Sequence, residues 1–173
     1  MKQYKLNNML FVSVMNLLQF YVLSMFYFTV IKNPVVHKAI RLLLVITSLI
    51  FVLDLTLIEG TKAFNSIFTS FRTLVLIVYG TIFFLQLQKD EQMIEQSIYI
   101  NAVPDFWFNA GLFVYLCCSF IFTLSYNFLQ KMDMSSEQIR AAVGISAALH
   151  YTSGVCEIIL FYVGFRKIKR ARS

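Results

Sequence analysis

Along this chain, apolar residues run in long blocks broken by short polar clusters. No charged residue occurs from Leu6 to Ile31, and none from Phe106 to Gln130. Blocks of about 20 apolar residues, at about 1.5 Å rise each, match the hydrocarbon thickness of a bilayer. The pattern predicts an all-α, polytopic membrane protein with one domain of five transmembrane helices, at 9–31, 41–58, 65–87, 105–129 and 141–165. The second and third blocks carry one charge each, Asp54 and Arg72, and the Leu, Ile, Val and Phe around those charges still favour spanning.

The boundaries have local causes. Pro34 disfavours helix at the residue before it, and Gly60 is a candidate C-cap. Pro104 and Asp105 suit a helix start, where a missing N–H is tolerated and a negative charge is favoured. Ser135 or Ser136 offers an N-cap for the last helix. The 88–104 loop is either a short amphipathic segment on the membrane surface, through Met93, Ile94, Ile98 and Ile100, or a plain solvated loop.

Composition sharpens this picture. Charged residues are 14% of the chain, against roughly 25% in an average soluble domain. Hydrophobic residues are 58%, with 18 phenylalanines among them. The net charge of +6 would suit nucleic acid on a soluble protein, but five of the 15 basic residues crowd into the tail at 166–173. That placement suits a cytoplasmic flank beside anionic headgroups and disfavours nucleic acid as a partner. With the C-terminus inside, nine Lys/Arg fall on the cytoplasmic side and five outside, which puts the N-terminus outside. The first block is too long for a signal peptide and lacks a small-residue cleavage site.

The candidate chemistry is a set of polar groups inside apolar blocks. In the last one, Ser146, His150, Ser153 and Glu157 fall within about 40° of one another at 100° per residue. An intramembrane charge costs about 2.5–3.5 kcal/mol on insertion scales, so such a stripe is expected to face a protein interior or a wet cavity. It reads either as structural glue between helices or as a binding or ion-sensing site. Asn65, Thr69, Arg72 and Tyr79 share a face of the third block, and Thr47 aligns with Asp54 in the second. By depth, Asp54 and Arg72 are expected to form an intramembrane ion pair. Asn16 and Gln19 are candidate partners for His150. Cys117, Cys118 and Cys156 lie inside blocks without zinc-type spacing and read as free thiols. No HExxH, GxSxG, Walker or dinucleotide motif occurs. The expectation is a non-enzymatic protein without cofactor or metal.

The segment "PDFWFNAGLFVY" (104–115) resembles a motif in the multi-helix sensor regions of bacterial membrane-bound histidine kinases. "GTKAFNSIFTSFRTLVLIVYGTIFF" (60–84) and "LHYTSGVCEIILFYVGF" (149–165) resemble the segments on either side of it. Pro104, Phe106, Trp107, Asn109, Gly111 and His150 match the motif positions, the first five as an interfacial motif. The resemblance implies a bacterial inner-membrane location and a sensor or input role. Kinase activity is not implied, because the chain carries no dimerisation-histidine box and no ATP-binding segments. Three readings follow. The first is a sensor or partner module acting through a polar interior, the second an oligomeric pore or transporter-like subunit, and the third an accessory or assembly protein. Besides the lipid bilayer, a second copy of the chain and a cytoplasmic or membrane signalling protein are the partner classes considered.

Overall fold

A computed structural model describes residues 8–58, 65–90, 100–129 and 136–171. Among them, five helices are long and apolar enough to cross a membrane. The chain divides into two compact units between Val75 and Leu76.

The first unit holds α1 (Asn8–Val30), α2 (Pro34–Leu53) and the opening turns of α3 (Ser66–Gln88). The link between α1 and α2 is three residues long. Asn33 caps α2, its side-chain oxygen accepting from the Val35 N–H at 2.9 Å, and Pro34 occupies the first turn. His37 Nε2 donates to the Ile31 carbonyl at 2.6 Å, satisfying an acceptor at the end of α1. Its ring stacks on Phe28 at 4.4 Å. The second span therefore begins seven residues earlier than the hydropathy pattern suggests. A capped start with proline in the first turn carries helix through the polar residues His37 and Lys38, which an apolar window counts as loop.

At its other end α2 widens into a π-helical turn, Asp54–Ile58. Tyr21 and Ser48 hydroxyls meet at 2.6 Å between α1 and α2. Phe51 of α2 meets Phe68 of α3 edge-on at 5.0 Å. Phe20, Tyr27, Ile40 and Phe68 are fully buried in this unit.

The second unit holds the rest of α3, a 3₁₀ turn at Ile100–Ala102, α4 (Pro104–Leu129) and α5 (Ser136–Ala171). α4 and α5 form an antiparallel hairpin. A Cβ on Gly111 would lie 3.1 Å from the Phe161 ring and 3.2 Å from the Glu157 carbonyl oxygen, so the two backbones approach closely there. Phe108 sits over Gly164 and meets Phe161 and Phe165 edge-on at 5.5 and 5.0 Å. α3 joins α4 through Phe84, which meets Phe106 and Phe113.

α5 runs 36 residues, well beyond the expected 141–165. The basic segment read as a tail is helical through Ala171, since lysine and arginine are good helix formers once a helix is under way. Gly60, Ser135 and most of the 88–104 loop lie outside the described residues.

Candidate functional site

Each unit contains its own constellation of polar groups. In the first, Thr47, Asp54, Asn65, Thr69 and Arg72 are all buried, Asp54 fully and Arg72 to 7% exposure. The Arg72 guanidinium reaches α1: Nη1 donates to Gln19 Oε1 at 3.0 Å and Nη2 to Asn16 Oδ1 at 3.0 Å. A longer bond runs from Nη1 to the Asn16 carbonyl at 3.4 Å. Hydrogen bonds to a charged group contribute roughly 1.5–3 kcal/mol each. Two of them are enough to offset the cost of placing this charge among apolar helices.

Asp54 has a different role in view. Its Oδ2 accepts the Phe68 backbone N–H at 3.0 Å. Phe68 is in the first turn of α3, so a carboxylate of α2 caps the next helix, where the helix dipole favours negative charge. Phe68 and Arg72 are four residues apart on α3. Asp54 and Arg72 thus address one face of that helix about a turn apart, roughly 5.4 Å along the axis. Asn65, at the helix start, has neither side-chain atom bonded among the described residues, and the Thr47 hydroxyl is likewise unmatched.

In the second unit, the α5 stripe lies along the hairpin seam. His150 Nδ1 and the Ser119 hydroxyl of α4 are 3.0 Å apart. The imidazole stacks on Phe122 at 5.4 Å and lies 5.2 Å from the Tyr115 ring. Tyr115, Ser119 and Phe122 fall at i, i+4 and i+7, one face of α4. Ser153 is buried, and its hydroxyl turns back to the His150 carbonyl at 2.7 Å. Ser146 and Glu157 are half-buried, and the Glu157 carboxylate makes no hydrogen bond or ion pair with the described residues.

The interfacial motif is distributed by function. Pro104 opens α4. Trp107 donates its indole N–H to the Asn101 carbonyl at 2.8 Å, and Phe106 meets Trp107 edge-on. Asn109 is fully buried and donates to the Gly80 carbonyl of α3 at 3.2 Å. Gly111 is the close-approach point of the hairpin.

Sequence reasoning finds the polar outliers and misassigns one set of partners. Asn16 and Gln19, read as partners of His150, bond Arg72, while His150 takes Ser119. Helical phase says which residues share a face of one helix, and it carries no information about which helix that face meets. The i, i+4, i+7 set on α4 was the available signal for the His150 surroundings.

A scan against family models and searches of curated proteins and of solved structures found no match. The likeness to histidine-kinase sensor regions therefore rests on the sequence motifs alone.

Proposed function

We propose that this chain is a multi-pass protein of a bacterial inner membrane, N-terminus outside, working as a non-enzymatic sensor or partner module. The observation that carries this reading is Arg72. A guanidinium buried in the third apolar helix is held by the neutral side-chain amides of Asn16 and Gln19 on the first. Each of these two bonds is to a neutral acceptor, and such a bond is individually weaker than one to a carboxylate. Such a clasp suits an element with two arrangements of similar energy, which a membrane or small-molecule signal could bias. The ends of the helices then carry the change to a partner.

Pulsed electron resonance between spin labels on α1 and α3 tests this in reconstituted protein. Two distance populations, redistributed by Asn16→Ala, are expected. A single population indifferent to that change would defeat the sensor reading and leave the accessory one. The accessory reading has its own support, because the bonds of Arg72, Asp54, Asn109 and His150 described above run from protein to protein. The pore reading makes a separate demand: ion flux through vesicles that disappears in Glu157→Gln.

A further inference from the structure

The basic end of α5 has a shape as well as a charge. Tyr162, Val163, Arg166 and Lys167 line a notch made by two adjacent i, i+4 pairs on the helix surface. The Arg166 guanidinium carbon lies 6.0 Å from the centre of the Tyr162 ring. At that distance the ring attracts the guanidinium and helps hold it beside the notch. Arg166 is exposed, Tyr162 is 62% exposed, and Lys169 extends the exposed positive charge a turn further along. Among the described residues of α4 and α5, Asp105, in the first turn of α4, is the acid at this end of the hairpin.

The depth of the notch follows from the hairpin. Phe108 packs on Phe161, Gly164 and Phe165, so the basic end of α5 lies at the same end as the start of α4. That end carries Trp107, a residue type that favours the membrane–water boundary. The apolar helix from Ala141 to Lys169 is 29 residues long, whereas about 20 residues cross the hydrocarbon. The surplus carries the end of α5 out to headgroup level.

We propose that this notch binds an anionic phosphate, one whose charge no neighbouring ammonium neutralises, presented at that depth by an acidic phospholipid. Arg166 and Lys167 donate to the phosphate oxygens, and the Tyr162 ring carries the guanidinium. The inference rests on the membrane-spanning part of the proposed function and is independent of the sensor role.

A Tyr162→Trp, Trp107→Phe variant moves the chain's single indole into the notch while keeping an aromatic ring under Arg166. The full chain is reconstituted in vesicles where either phosphatidylglycerol or phosphatidylcholine carries brominated acyl chains. Quenching is expected to favour phosphatidylglycerol by roughly fivefold, the preference of about one basic side chain near an anionic surface. Arg166→Ala with Lys167→Ala should bring the ratio close to one. Lys38→Ala with Arg41→Ala, which removes two charges elsewhere, should leave it unchanged. Inorganic phosphate that lowers the ratio, where chloride at equal ionic strength does not, assigns the site to the phosphate group itself. A ratio insensitive to free phosphate assigns it to the intact headgroup. Equal quenching by the two lipids, or a preference that survives loss of Arg166 and Lys167, overturns the proposal. A loss equal to that of the Lys38/Arg41 control overturns it too.

Discussion

Arg72 shows how hydrogen bonds from a neighbouring helix help to keep a charge in an apolar one, and the consequence is measurable. Asn16→Leu or Gln19→Leu removes one acceptor from a buried guanidinium and should destabilise by roughly 1.5–3 kcal/mol. Trp107 fluorescence during unfolding in mixed detergent reads the loss. Asp54 makes a second, separable prediction. Asp54→Ala deletes the cap on Phe68 and should cost about 1 kcal/mol from that bond alone, and Asp54→Asn, which keeps an acceptor, should cost less. Because Asp54 bonds the Phe68 N–H one turn before Arg72 on α3, we further expect Asp54→Ala and Arg72→Ala together to cost less than the sum of the single changes. Strict additivity would show that the two charges ignore each other. The sequence displays Asp54, Arg72, His150 and Glu157 as outliers because each interrupts an apolar block. It does not display Phe68 N–H, Ser119 or the Gly80 carbonyl as partners. Two of those three are main-chain groups, which every residue possesses, and their selection depends on how helices meet.

The helices themselves were legible in proportion to how far apolar content alone defines them. α1, α3 and α4 start and stop within about a residue or two of the expected positions, which is the ordinary uncertainty of a helix end. α2 and α5 overrun because their ends are polar helix: His37 and Lys38 at the start of α2, and Ser136 to Arg140 and Arg166 to Ala171 at the two ends of α5. A hydropathy window measures the bilayer-compatible part of a helix and is silent about turns that project beyond it. The α4–α5 seam gives the element-scale prediction. Gly111→Ala places a methyl 3.2 Å from the Glu157 carbonyl oxygen, a backbone atom that moves only if the helices separate. It should destabilise by about 1–3 kcal/mol. At Gly144 a Cβ meets nothing within 4 Å. There the same change should be neutral or stabilise by up to about 1 kcal/mol through helix propensity. Equal effects at both glycines would mean that the close approach at Gly111 does not hold the hairpin.

For the whole molecule, direction in the membrane is the property that the basic residues are expected to set. On the proposed reading, five crossings would place the two termini on opposite faces, and nine Lys/Arg against five would favour the C-terminus inside. Each basic residue near an anionic leaflet contributes about 1 kcal/mol, so a surplus of four is a bias of a few kcal/mol. Three of the nine are Arg166, Lys167 and Lys169. Replacing those three with Gln leaves six against five, too small a difference to hold one direction firmly. In a background with Cys117, Cys118 and Cys156 changed to Ala, a Ser173→Cys probe should be modified by a membrane-impermeant thiol reagent only from the cytoplasmic side. A Gln3→Cys probe, which leaves the count of basic residues unchanged, should be modified only from outside. With the three glutamines added, each probe should become reachable from both sides in different molecules. One-sided labelling that persists after the glutamine changes would show that the direction is fixed elsewhere, by the first helices to insert, and that the basic end of α5 is free to serve lipid contact alone.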